Sequence, residues 1–175
     1  MLNFFKKNKA CPQCLQHSCC RRGFMVIEVL IVSSIITIAL LGAMAVTQKS
    51  IYVVRQALHA TQAGFLLEEG AEAVRILRDN TWTNISSLTN ATNYYLAFLG
   101  GTWTLTTTAS DGIVGSFTRT VTIASVNRDN TTKDIVTSGG ANDAGTKLVT
   151  VTVTWVEAGT TVTKTLKFYI IDIFS

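Results

Sequence analysis

The sequence predicts an α+β fold, a long N-terminal α-helix whose second half packs on a roughly four-stranded antiparallel sheet while its apolar first half protrudes. Three observations carry this expectation. Residues 24–46 form one apolar run, residues 47–80 repeat apolar side chains at helical spacing, and beyond about Asn80 the period changes from near 3.6 to two. A chain of 175 residues holds one domain plus an appendage. Its hydrophobic fraction of 47% exceeds the need of a small soluble core, and the excess is concentrated in the apolar run.

Residues 1–23 are polar and basic. Lys6, Lys7, Lys9, Arg21 and Arg22 all precede the apolar run, so five of the fifteen basic residues lie here; ten remain against eleven acidic ones from Phe24 onward. The net charge of +4 is therefore a property of the leader and does not argue for nucleic-acid binding. Basic residues before a membrane helix stay cytoplasmic, which predicts export of everything after it. All four cysteines, Cys11, Cys14, Cys19 and Cys20, also precede Phe24, as does the single proline, Pro12. An exported domain without cysteine relies on its own core and on neighbouring subunits.

Residues 24–46 would span roughly 35 Å as a helix, enough to cross a bilayer core of about 30 Å. Glu28 is the one charge in the run; Ser33, Ser34 and Thr37 are its other clearly polar members. A carboxylate at membrane depth costs at least about 3 kcal/mol, and so marks a functional residue that needs a partner.

Residues 47–80 continue the helix. Ile51, Val54, Leu58, Phe65, Leu66, Val74 and Leu77 recur at largely helical spacing, with Gln, Glu, Lys and Arg on the other faces. Gly64 and Gly70 interrupt it, each at about 1 kcal/mol relative to alanine. Asp79 and Asn80 read as its stop.

Residues 81–175 form the β-rich part. Trp103–Thr107, Phe117–Ile123, Leu148–Trp155 and Val162–Phe168 alternate and are the four strand candidates, the last two joined into a hairpin through Gly159. The connection 127–146 gathers Asp129, Asn130, Asp134, Asn142, Asp143 and three glycines. Such oxygen-rich composition suits either exposed turns or a calcium site, and its spacing matches no EF-hand.

A secretory signal peptide places its cleavage site beyond a short apolar stretch. Here Arg21-Arg22-Gly23 lies on the near side, directly followed by Phe24-Met25-Val26-Ile27-Glu28 and an uninterrupted apolar continuation. This arrangement resembles the class III signal of type IV pilins and type II secretion pseudopilins. The resemblance is carried by residues 21–78 and, by architecture only, by the sheet. It implies a pilin-like lollipop in which a prepilin peptidase cuts after Gly23 and the new N-terminus at Phe24 is methylated. It also implies a subunit held in the cytoplasmic membrane by one span, C-terminal domain outside, before polymerising with like or related subunits at the cell surface. The assembly platform and its motor ATPase would be separate chains. Cleavage would leave the Phe24 amine four residues before Glu28, so the amine of one subunit could neutralise Glu28 of its neighbour. A buried pair of that kind sets register more than it adds stability.

The sequence departs from the family in two places. Ala45 stands where many major pilins carry a helix-kinking proline, with Gly42 the nearest source of local flexibility, and no C-terminal disulfide can form. Whether the filament serves adhesion, motility, DNA uptake or secretion is not specified, and DNA as a partner stays open. A competing reading is a plain signal anchor with Glu28 reaching the interface, leaving an uncleaved membrane-anchored β-rich binding or adhesin domain.

Cys11-Pro-Gln-Cys14 with His17, Cys19 and Cys20 has the ingredients of a zinc knuckle but is too cramped for a paired site, and cleavage would discard it. Asn84, Asn90 and Asn130 head glycosylation sequons that arise readily in a composition rich in Asn and Thr. His59 reads as a solvated surface histidine. Trp82, Tyr94, Tyr95, Trp103 and Trp155 are either core residues or an adhesive or DNA-contacting surface, with their alternation favouring the core. No nucleophile and base arrangement, acid and base carboxylate pair or phosphate loop can be placed, so an enzyme is not expected.

Overall fold

The computed structural model describes residues 20–109 and 116–173, with side chains from Met25 onward. The chain divides into two compact units, Met1–Val53 and Val54–Ser175. Helix α1, Cys20–Asn80, begins in the first and ends in the second. It is already formed at Cys20, the first described residue and four residues before the expected Phe24, since Cys20 to Gly23 contain no residue that forbids helical backbone and two arginines that favour it. The leader cysteines Cys11, Cys14 and Cys19, with His17, fall outside the described residues.

Among the described residues of Val54–Ser175, α1 is followed by a single turn α2, Thr83–Ser86, and six strands: β1 Tyr95–Leu99, β2 Thr102–Thr106, β3 Thr118–Arg128, β4 Ile135–Val136, β5 Ala141–Glu157 and β6 Thr160–Ile171. The main sheet has four antiparallel strands in the order β4-β3-β5-β6. The expected strand at Trp103 is real but belongs elsewhere, as β2 of a separate two-stranded ribbon with β1. The fourth strand of the main sheet is instead the two-residue β4, inside the connection read as loop. Tyr94 joins the ribbon to the sheet: its N–H donates to the Val121 carbonyl at 2.9 Å and its carbonyl accepts from Val121 N–H at 2.8 Å.

Alternation explains the sheet. Val149, Val151, Val153 and Trp155 of β5 lie beside Val121 and Ile123 of β3 on the buried face. The threonines between them pair across the opposite face, Thr118 with Thr154 and then Thr163, Thr120 with Thr152 and then Thr165. The β5–β6 hairpin turns at Ala158 and Gly159, whose φ angles of 48° and 79° suit a two-residue turn matched to strand twist.

The helix covers the buried face with a different set of residues than periodicity proposed. Leu66, Val74 and Leu77 are buried as expected, but Ile51, Val54, Leu58 and Phe65 are at least half exposed. Ala63, Leu67, Ala71 and Ala73 take their place. Small side chains bring the helix close to the sheet, and at Gly70 there is no room for a side chain. A Cβ added there would lie 2.8 Å from Val151 Cγ1 and 3.1 Å from Arg119 Cδ. The glycine that reads as a helix weakness is therefore a packing requirement.

Candidate functional site

The features that bear on function lie in two separate places, the N-terminal stretch of α1 and the domain formed by Val54–Ser175.

From Met25 to Val46 every large apolar side chain is 50–70% exposed, as far as a helix without neighbours allows. In water such a surface would be strongly unfavourable, since each fully buried aliphatic side chain is worth about 1.5–3 kcal/mol. In hydrocarbon it would be the correct surface. The helix over Met25–Asn80 is long and apolar enough to cross a membrane.

The polar residues of this stretch fit such a medium. Ser33 Oγ donates to the Leu30 carbonyl at 3.0 Å, Ser34 Oγ to Ile31 at 2.8 Å and Thr37 Oγ1 to Ser33 at 2.7 Å. Further along, Thr47 Oγ1 donates to Ala43 and Ser50 Oγ to Val46, both at 2.9 Å. Each hydroxyl is thus satisfied within its own helix, the condition for tolerating it in lipid. Where the apolar run ends, the Lys49 ammonium sits 5.1 Å from the centre of the Tyr52 ring. A cation and an amphipathic aromatic at that point form the kind of anchor found at membrane interfaces. The sequence contained this signal, a Lys and a Tyr three residues apart, but the reading passed over it.

Glu28 is the exception. It lies on the exposed surface between Val29, Val32, Ser33 and Ile36, and among the described residues no cation pairs with it. Gly23 and Phe24 are part of the same helix, but only their backbone is described. Glu28 follows Phe24 by four residues, about 6 Å along the axis.

In the second unit the other candidates acquire definite positions. Of residues 127–146, the segments 127–128, 135–136 and 141–146 lie in strands and the remainder forms the turns between them. Asp129 accepts from the N–H groups of Thr131 and Thr132 at 2.7 and 2.9 Å, and those backbone bonds hold its carboxyl below the ordinary carboxylate range. Asp143 accepts from Thr146 Oγ1 and from Arg128 Nε, each at 2.6 Å; the threonine hydroxyl first and the guanidinium second lower its pKa. Among the described residues no three His, Cys, Asp or Glu side chains converge as a metal-holding group.

His59 is not simply solvated. Its ring meets Phe117 edge-on at 5.9 Å, and Nδ1 is 3.7 Å from Glu157 Oε1. Of the aromatics, Tyr94 and Trp155 are buried, while Trp82 and Trp103 are partly buried against the same core. Sequence reasoning also missed Arg119, an inward-facing residue of β3 that is only 3% exposed. Its Nη1 donates to the Leu66 carbonyl at 3.1 Å and to Glu69 Oε2 at 2.9 Å, and its guanidinium lies 5.7 Å from the Trp103 ring centre. Arg119 occupies the alternation that marks core positions in Phe117, Val121 and Ile123, which was the available signal.

Among the described residues the geometry defines an α+β chain with an N-terminal helix long and apolar enough to cross a membrane, and a small domain of helix and antiparallel sheet within Val54–Ser175. Compared with protein-family models, curated proteins and solved structures, the chain matches none of them.

Proposed function

We propose that the chain is a structural subunit of a type IV pilus or pseudopilus, processed by a prepilin peptidase after Gly23 and assembled through the helix that then begins at Phe24. The observation that carries this reading is the state of the helix surface. Over Met25–Val46 it is apolar on all sides, its hydroxyls are internally satisfied, and Glu28 alone among these residues lacks a partner. A helix fit for lipid with a single unsatisfied charge one turn from a new amine is suited to leave lipid for a bundle of identical helices. Apolar surface is exchanged for apolar surface, so packing and the pairing of Glu28 with a neighbouring Phe24 amine would set the geometry. The role is structural, with no catalytic step and no cofactor. Before assembly the subunit would sit in the cytoplasmic membrane with its C-terminal domain outside, and the platform and ATPase would come from other chains.

A second reading keeps the leader and makes the chain a single-pass anchor presenting a β-rich binding domain. The continuous helical backbone through Cys20–Gly23, which offers no break at the cut, favours it.

Intact mass and N-terminal sequencing of membrane-extracted protein, expressed with and without a prepilin peptidase, separate the two. A methylated Phe24 start that depends on the peptidase and disappears in Gly23→Ala is the expected result. An intact leader in cells with active peptidase leaves the anchored binding domain as the correct account.

A further inference from the structure

At the C-terminal end of α1 two clefts meet. The first, about 450 Å³, lies between α1, α2 and β2 and is lined by Trp103, Asn80, Thr83, Asn84, Ser87 and Thr104 among others. The second, about 500 Å³, is lined by Trp82, Asp79, Thr81 and Asp172, and shares Asn80 and Thr83 with the first. Both volumes fall in the range of small-ligand sites, roughly 300–1,000 Å³. We infer that this paired cleft is a binding site for a neutral oligosaccharide, one or two sugar rings in each half.

The lining supports that class of ligand. Trp82 and Trp103 are packed on one side against the core, so their rings are held in place. Trp103 is further fixed by Phe98, with ring centres 5.1 Å apart, and by the Arg119 guanidinium. The residues common to both clefts, Asn80 and Thr83, can donate and accept without carrying charge. Asn80 and Thr83 are exposed, and neither side chain is used in a hydrogen bond within the described structure. Asn84 donates Nδ2 to the Leu77 carbonyl at 3.1 Å, which leaves its carboxamide oxygen to accept. A sugar matches this arrangement, because its C–H faces suit an indole and its hydroxyls suit amides and hydroxyls.

Charge argues against the main alternatives. No Lys or Arg lines either cleft, and the second carries two carboxylates, Asp79, which is paired with Arg78 at 2.7 Å, and Asp172. Phosphate, nucleic acid and acidic sugars would meet no cation in the lining, and the one beside it is already engaged by Asp79. The inference does not depend on whether the subunit is cleaved or polymerises.

The test uses full-length protein in a polyoxyethylene detergent, since alkyl glycoside detergents would compete. A panel of neutral hexose and N-acetylhexosamine oligosaccharides is titrated while tryptophan fluorescence is followed. At least one is expected to bind with a fluorescence change, and Thr83→Arg, which places a long side chain at the exposed position common to both clefts, should weaken binding at least tenfold with an unchanged melting temperature. Asn80→Ala, also at an exposed position, should weaken it severalfold and serves if the arginine variant does not fold. The inference is overturned if no neutral oligosaccharide binds up to millimolar concentration. It is equally overturned if binding survives both substitutions, or is confined to anionic glycans and abolished by salt.

Discussion

One helix carries two kinds of surface. From Met25 to Val46 it presents Ile, Leu and Val all round and buries none of them; from Ala63 to Leu77 it buries Ala, Gly, Leu and Val against the sheet, leaves Phe65 and Ile76 exposed, and carries Glu and Arg elsewhere. The more hydrophobic half is thus the one with no packing partner among the described residues. Hydropathy reports the solvent a segment is built for, whereas burial within a domain depends on sidedness and on side-chain size.

The same substitution in each half should break this comparison most visibly. Val74 is fully buried, so Val74→Asp places an unpaired carboxylate in the core at a cost of about 4 kcal/mol or more, which should abolish the unfolding transition of the domain. Ile38→Asp, at a 70% exposed position, should leave that transition unchanged and instead weaken membrane insertion by about 3 kcal/mol. All three tryptophans, Trp82, Trp103 and Trp155, lie in Val54–Ser175, so tryptophan fluorescence in urea reads the domain, while carbonate extraction reads the membrane. Equal effects of the two substitutions on both readouts would refute the division.

The next effect concerns the close approach at Gly70. Gly70→Leu should cost about 3 kcal/mol, since even a Cβ meets Val151 Cγ1 at 2.8 Å. Val151→Ala alone should cost about 2 kcal/mol by leaving a cavity. Combined with Val151→Ala, Gly70→Ala should be less damaging than alone by about 1 kcal/mol, because the missing methyl groups make room for the new Cβ and alanine is the better helix former. Strict additivity in urea melts would show that the contact does not set the helix-to-sheet distance.

These residues mark what could be read in advance. The long apolar helix, the change of period after Asn80 and the β5–β6 hairpin were legible because each rests on a repeated local pattern. The helix face was misread at Ile51, Val54, Leu58 and Phe65, because spacing finds large apolar residues and is nearly blind to the Ala63, Ala71 and Ala73 face that does the packing. β1 was missed since Tyr95–Leu99 lacks alternation, although Gly100 and Gly101, both at positive φ, were a hairpin signal. β4 has only two residues and depends on pairing with Asn127 and Arg128, which no local pattern encodes. Of the candidate sites, Glu28, proposed for assembly, was legible from its cost in lipid; the paired cleft was not, because it exists only where β2 meets the end of α1.

A similar effect is expected at Arg119, the one charge buried among the described residues. Arg119 is 3% exposed while its partner Glu69 is much more open, so the pair is only half desolvated. Glu69→Gln keeps an acceptor and should cost about 1 kcal/mol, whereas Arg119→Ala also removes packing against Trp103 and should cost about 3 kcal/mol. Similar costs for the two would mean that charge pairing, and not the shape of the arginine, holds this part of the core.

The smallest effect should appear at the edge of the domain and depend on pH. Thr146 and Arg128 lower the pKa of Asp143 from its ordinary 3.8 in the folded state. A depressed carboxylate stabilises the fold above the unfolded-state value and loses that contribution as pH falls through the folded one. Asp143→Asn should therefore cost about 1 kcal/mol at neutral pH, and the gap to the native protein should close below about pH 4. Asp129 is depressed too, by the backbone N–H groups of Thr132 and Thr131, but it is present in both proteins and cancels in the difference. A gap that stays constant down to pH 2 would assign the loss to the geometry of the Arg128, Asp143 and Thr146 cluster and not to the carboxylate's charge. Because that cluster secures the irregular pairing after Ser125, where the register shifts between β3 and β5, the same variant should loosen hydrogen exchange near Val126 and leave α1 unaffected.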